Sequence, residues 1–373
     1  MAERAGSSAG RLVVVGGGII GTMHAWMARR RGYRVVQLER EAEARGASVR
    51  NFGLIWVSGR TAGAELELTL RSRRLWDEAA ASAPGVGLRA NGSLTVAQAP
   101  EEMDVLEEAA AATDAPARGW SLVSAEEARR INPALGGKII GALFCAHDAT
   151  VEPRKAAAAI RDGLRGDDGY EWVANRTVVE AEEGFVRDHV GTRWEADRIV
   201  LCCGADLQGV AAPAVVGGPL RRVRLQMLET APHAETVTTS VADGDSLRYY
   251  PAYAGGALAR LRPQDELAAA HAIQLLLVQR RDGGLTIGDT HQYEEPFDFA
   301  VRDDVETELL RRAEGALGAP VPPVARRWAG VYSQTTDGSI YFRRELAPGV
   351  DVVTGPGGRG MTLSAAMAEE TFA

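Results

Sequence analysis

A chain of 373 residues that is 46% hydrophobic can bury a sizeable interior and has the length of roughly two domains of ~150 residues each. Its formal net charge of -8 argues against a nucleic-acid partner and against a polybasic membrane patch. The three cysteines, Cys145, Cys202 and Cys203, show neither the spacing of a metal site nor that of a disulfide framework, and no metal is expected.

The opening MAERAGSSAGR lacks the apolar core of a signal peptide, and no apolar run reaches the ~18 residues of a membrane span. A cytoplasmic chain is the expectation. Next, RLVVVGGGIIGTMHAWMARRRGYRVVQLER reads as strand, glycine turn, helix and strand. Leu12 to Val15 form a short buried strand, Thr22 to Arg31 a helix, and Val35 to Leu38 a second strand ending at Glu39. Gly16, Gly18 and Gly21 occupy the G-x-G-x-x-G positions. Such glycines serve a tight turn, close backbone approach to a pyrophosphate, and close packing of helix on strand. The anion then sits at the helix N-terminus, where free N–H groups and the helix dipole favour it. Glu39 stands about 20 residues on, where a carboxylate accepts hydrogen bonds from a ribose.

Beyond it, GASVRNFGLIW sets Arg50 and Asn51 between small residues and an apolar run. A helix is expected over 62–83, a turn and strand over 91–98, and short helices over 101–113 and 124–131. The stretch GALFCAHDATVEP reads as strand and loop, and RKAAAAIRDGLR as an amphipathic helix. Short β-branched strands follow in WVANRTVVEAEEG and TRWEADRIVLCCGAD, and residues 222–300 are strand-rich, with SLRYYPAY expected to be extended. ETELLRRAEGAL is a helix, and VDVVTGPGGRGMTLSAAMAEE closes the chain as strand, glycine loop and helix. Nucleotide-fold pieces thus stand at the start, middle and end, with sheet-rich pieces between. The expected architecture is α/β: a discontinuous Rossmann-type domain (1–86, 145–219 and 327–373) interleaved with a substrate domain containing a mainly antiparallel sheet (87–144 and 220–326).

Together, VVVGGGIIG…LER, GASVRNFG, NRTVVEAEEG…RIVLCCGA, RRWAGVYSQTTDG and GPGGRGMTLS resemble the FAD-dependent D-amino-acid oxidase, glycine oxidase and sarcosine oxidase family over essentially the whole chain. GASVRNFG, LQML and GPGGRGMTLS look most like a bacterial branch associated with phosphonate metabolism. The resemblance implies a glutathione-reductase-like FAD domain and non-covalent FAD, since the terminal glycine loop has no cysteine. It assigns Gly16, Gly18, Ile19, Ile20 and Gly21 to the pyrophosphate turn, Glu39 with Arg40 to the adenosine ribose, and Val178 to the adenine. Gly204 and Ala205 would turn close to the dinucleotide. Gly357, Gly358, Gly360, Met361 and Thr362 would lie at the flavin's pyrimidine edge. Ser48 and Asn51 become candidates for cofactor hydrogen bonds.

The implied chemistry is oxidation of a C–N bond by hydride transfer to flavin N5, followed by imine hydrolysis, with no catalytic side chain assigned. The partners are a small anionic amine and an electron acceptor, O2 or a quinone. The leading substrate is 2-aminoethylphosphonate or its N-methyl form, giving phosphonoacetaldehyde; the alternatives are glycine, sarcosine or another amino acid, or a non-catalytic flavoprotein. For the anionic end the candidates are Arg248 and Tyr250, sharing one face of an extended SLRYYPAY, and Arg224 and Gln226, alternating along RRVRLQML. Arg50 meets either the FAD pyrophosphate, a substrate anion or a carboxylate at a domain seam. Arg359 faces either flavin or substrate.

Overall fold

The computed structural model describes residues 9–373; the opening MAERAGSS, part of the segment that carries the leader-peptide expectation, lies outside them. β1 (Arg11–Val15) is buried from Leu12 onward and pairs in parallel with β2 (Arg34–Leu38) and with the strand Arg198–Leu201. A continuous apolar run such as LVVV suits a strand covered on both faces. The full sheet has six strands, in the order 342–347, 350–354, 198–201, β1, β2, 170–173, and among them the 342–347 strand alone runs antiparallel to its neighbour. Its strands come from three separated parts of the chain.

α1 (Ile19–Arg30) crosses from β1 to β2 and packs on the C-terminal helix Gly360–Thr371, with Met23, Trp26 and Met27 against Leu363 and Met367. His24 is sealed into this seam, with Nδ1 donating to the Ile20 carbonyl at 2.8 Å and Nε2 3.0 Å from Thr371 Oγ1. Burial lowers its pKa from 6.5 to about 4. The unfolded chain therefore takes up a proton near pH 6.5 that the folded one refuses until about 4, and stability falls as pH falls through that window. About 2 kcal/mol should be lost between roughly pH 7 and roughly pH 5 from this group. Urea unfolding at the two values checks it, and His24→Gln should flatten the difference.

The second sheet has eight strands, in the order 324–335, 220–232, 284–288, 276–279, 240–242, 93–97, 141–145, 120–124, and among them the 240–242/93–97 pair alone is parallel. The long strands Leu220–Pro232 and Val324–Thr335 pair antiparallel from Leu220↔Thr335 to Thr230↔Val324. The expected domain boundary at 327 falls inside the second of them. α2 (Ala64–Ser82) corresponds to the helix expected over 62–83.

One expected strand takes another form. SLRYYPAY makes a helical turn, Ser246–Tyr249, and a 3-10 turn, Pro251–Tyr253. Asp243 Oδ1 accepts from Ser246 N at 3.1 Å and Ser246 Oγ donates to the Asp243 carbonyl at 2.6 Å. Such local side-chain bonds favour a turn over an extended run, and Pro251 has no N–H for a ladder. Arg248 and Tyr250 therefore do not project as strand neighbours.

Candidate active site

A cavity of about 1350 Å³ opens between the C-terminal ends of β1, β2 and the 198–201 strand on one side and the 220–232 and 324–335 strands on the other. The strand ends of an open α/β sheet are where such crevices form. The volume exceeds the ~300–1,000 Å³ of ordinary small-molecule sites, so a dinucleotide and a second small molecule can share it.

The glycine turn meets a physical test for the dinucleotide. Gly16 has φ +114°, and a Cβ there would stand 2.4 Å from the Cys202 carbonyl oxygen. A Cβ on Gly18 would press on Ser48 Oγ at 3.0 Å. Gly21 does not line the cavity: its Cβ would fall 2.1 Å from the Gly16 carbonyl oxygen and 3.3 Å from Val14, so it serves helix-on-strand packing. Ile19 and Ile20, in the first turn of α1, do line it, and the first N–H groups of a helix have no intrahelical partner. Glu39 is buried and already oriented, its Oε2 accepting from Gly17 N at 2.6 Å and Oε1 from Glu41 N at 3.0 Å. Arg40, Val178, Gly204 and Ala205 complete this end. Arg40 is engaged with Asp206 at 2.6 Å, and the Gly204 carbonyl accepts from Ser333 and Thr354 hydroxyls. A bare-backbone cradle, a helix N-terminus and a fixed carboxylate fit a pyrophosphate and its ribose.

The loop after β2 closes one wall. Ser48 Oγ accepts from Ile19 N at 2.9 Å, capping α1. Asn51 spends its amide inside the loop, donating to Ala47 and Ser48 carbonyls and accepting from Gly53 N. Arg50 reaches across the cavity edge and donates to the Ala329 carbonyl at 2.9 Å. Its partner is thus backbone of the facing sheet rather than a carboxylate at a seam.

At the inner end the C-terminal glycine loop brings Gly357, Gly358, Arg359, Gly360, Met361 and Thr362 to the cavity. A Cβ on Gly358 would meet the hydroxyls of Tyr249 at 3.4 Å and Tyr332 at 3.8 Å. Thr362 Oγ1 accepts from Trp56 N at 2.9 Å, tying the helix start to the loop. Arg359 is pinned by Pro356 O at 2.9 Å and by Glu65 Oε1 at 3.1 Å. On the other side of Glu65 stands Arg60, 5% exposed, its Nη1 3.8 Å from Glu65 Oε1 and its Nε donating to Trp56 O. Burial pushes the Glu65 carboxyl up, but Arg60 and then Arg359 outweigh it and hold it below the usual carboxylate range. Burial also lowers the Arg60 guanidinium pKa, opposed by Glu65. The turn carrying Arg60 is held by the buried Asp148, which accepts from Val57 N, Ser58 N, Ser58 Oγ and Ser93 Oγ. Tyr250 leans on Gly59, where a Cβ would stand 2.2 Å from its ring, and its ring lies 5.8 Å from the Arg60 guanidinium.

Asp289, Gln274 and His291 also line the cavity, all buried, with His291 stacked on Tyr249 at 4.2 Å. None of Arg60, Glu65, Gln274 or Asp289 stood out in the sequence; the lone Arg60 directly after WVSG was the one available signal. Of the residues expected at the substrate, Arg50, Arg248, Tyr250 and Arg359 line the cavity. Arg248 sits at its edge, donating to Asp245 at 3.0 Å and to the Arg262 carbonyl. Arg224 and Gln226 do not reach it, which corrects that expectation. They do share a face of the 220–232 strand, but Leu225 and Met227 point to the cavity from the other. Their own face is covered by the 292–302 segment: Arg224 donates to Ala300 O at 2.7 Å, and Gln226 exchanges two 2.8 Å bonds with Arg302.

Comparison with known proteins agrees with this geometry. The family model described as FAD dependent oxidoreductase matches residues 11–373. An opine oxidase subunit of Rhizobium meliloti is 25% identical over 91% of this chain and 86% of its own length. Among solved structures, glycine oxidase from Geobacillus kaustophilus superposes with a TM-score of 0.77 at 21% identity, covering 98% of this chain and 94% of that one. L-proline dehydrogenase from P. horikoshii gives 0.77 at 20%, covering 97% and 92%. The chain belongs to the FAD-dependent oxidoreductase family. It is an FAD-dependent oxidoreductase.

Proposed function

We propose that this member of the family oxidises the C–N bond of a small amino acid, primary or N-substituted, whose carboxylate lies at Arg60. The observation that carries the reading is the Arg60–Glu65–Arg359 cluster beside the glycine loop, with Arg60 and Glu65 buried. Two guanidinium groups against one carboxylate leave one net positive charge. A monocarboxylate matches that charge, whereas a phosphonate dianion rewards two uncompensated cations. The same count is the reason to rank 2-aminoethylphosphonate second.

Bound FAD supplies the two-electron acceptor for the carbon–hydrogen bond next to nitrogen. The chain's part is to hold and orient. Gly16, Gly18, Ile19 and Glu39 would hold the dinucleotide's phosphates and ribose, and Gly357 to Thr362 its ring end. Arg60 fixes the substrate's anionic end, and Trp56, Tyr249, Tyr250 and Tyr332 wall the site against water, where charged contacts gain strength. The cofactor is held without a covalent bond. The glycine loop has no cysteine, and burial keeps the Cys202 and Cys203 thiols protonated, Cys203 pushed up to about 12.

Anaerobic mixing of the holoenzyme with glycine, sarcosine, D-alanine, an N-carboxyalkyl amino acid and 2-aminoethylphosphonate tests the reading. Loss of oxidised-flavin absorbance with one or more of the carboxylates is expected. Reduction by the phosphonate alone would overturn the carboxylate assignment, and no reduction by any amine would overturn the enzymatic one.

A further inference from the structure

We infer that Asp289 and Gln274 form the acceptor pair that receives the substrate's amino N–H groups, making the site bipolar: cationic at Arg60 and acceptor-lined at Asp289 and Gln274. The inference rests on the reading above, which places an anionic end at Arg60. Gln274 is 2% and Asp289 4% exposed, and both line the cavity. Gln274 Nε2 donates to Asp289 Oδ1 at 3.0 Å, which fixes the amide's orientation and leaves its Oε1 buried with no hydrogen-bond partner among the described residues. Reciprocal backbone bonds, Asp289 N to Gln274 O at 2.9 Å and Gln274 N to Asp289 O at 3.2 Å, lock the two residues together. An unpaired buried amide oxygen is costly unless a ligand donor fills it. A carboxylate beside it extends the demand from any donor to a cationic one.

The surroundings agree. Tyr249, Tyr250, Tyr293, Tyr332 and His291 are the titratable groups that feel Asp289. Tyr249 and Tyr250 also feel Arg60, so both charges act on the same tyrosine pair. Burial raises the Asp289 carboxyl, with His291 and the Gln274 bond opposing, and an ammonium group brought next to it favours the ionised form. A zwitterion satisfies both ends at once. A bare carboxylate satisfies only one.

Two acids of matched shape separate the ends. 2-Aminoisobutyrate has no hydrogen on the carbon that bears its amine and cannot be oxidised there; pivalate replaces the amine by a methyl group. Calorimetric titration of the FAD-loaded wild type and of Asp289→Asn with both is the test. Asp289→Asn should weaken 2-aminoisobutyrate by tenfold or more, in line with the ~1.5–3 kcal/mol of a hydrogen bond to a charged group, and leave pivalate within about twofold. Equal losses for both acids would make Asp289 a structural residue and overturn the inference, as would no loss for either. Arg60→Ala should weaken both acids. If the wild type binds neither, the carboxylate reading itself fails, an outcome distinct from failure at Asp289 alone.

Discussion

Arg60→Ala should lower kcat/KM for the preferred amino acid by about a hundredfold to a thousandfold, the ~3–4 kcal/mol expected when one partner of a desolvated charge pair is removed. Arg60 is 5% exposed, its Nε is committed to Trp56 O, and Glu65 is nearby at 3.8 Å. Removing the guanidinium leaves Glu65 facing the incoming carboxylate with Arg359 as its remaining counter-charge, so a favourable contact turns towards repulsion. Arg60→Lys restores the charge but not the planar fork and should recover only part of the loss. Steady-state kinetics with flavin content measured in parallel decides the matter. A fall in activity that tracks a fall in bound flavin would move Arg60 from the substrate to the cofactor, and unchanged kcat/KM would remove it from both.

Gly16→Ala should yield protein that retains little or no FAD, with affinity reduced a hundredfold or more. The left-handed backbone at φ +114° costs a residue with a Cβ about 1–3 kcal/mol, and the 2.4 Å approach to the Cys202 carbonyl adds overpacking of similar size. That carbonyl cannot yield cheaply, because Cys202 N is bonded to Val15 O at 2.8 Å and its strand is paired to β1. Gly46→Ala is the matched control: Gly46 also lines the cavity, but its φ is -81° and nothing stands within 4 Å of its Cβ position. Absorbance ratios of the purified proteins read the result. Stoichiometric flavin in Gly16→Ala would show that the turn does not touch the phosphates.

The two variants mark the division between what could be read in the sequence and what could not. Gly21, and Gly16 as far as its backbone angle goes, were legible because that constraint is local; the Cys202 contact at Gly16 is not. A left-handed turn, and a helix start so close that a Cβ on Gly21 would stand 2.1 Å from the Gly16 carbonyl oxygen, follow from a few residues on either side, and only glycine meets them. The strand–turn–helix–strand that begins at Arg11, the acid at Glu39 and the final glycine loop are legible for the same reason, and they carry the fold class and the cofactor. Alternation along RRVRLQML likewise told that Arg224 and Gln226 share a face. It could not tell which face the 292–302 segment would cover, since that depends on a stretch far along the chain.

SLRYYPAY misled for a related reason. Tyrosine-rich runs favour strands in general, but Asp243 and Ser246 supplied bonds that stabilise a turn, and Gly59 gave the Tyr250 ring a place to pack. Beyond its glycine loop and Arg359, the inner end of the cavity was decided by tertiary structure. Arg60 and Glu65 stand far along the chain from Gln274 and Asp289, and each alone is an ordinary polar residue. These polar groups acquire meaning only when folding strips water from them and sets Glu65 beside Arg60 and Gln274 beside Asp289, because burial and pairing, not residue type, fix how strongly a buried group acts.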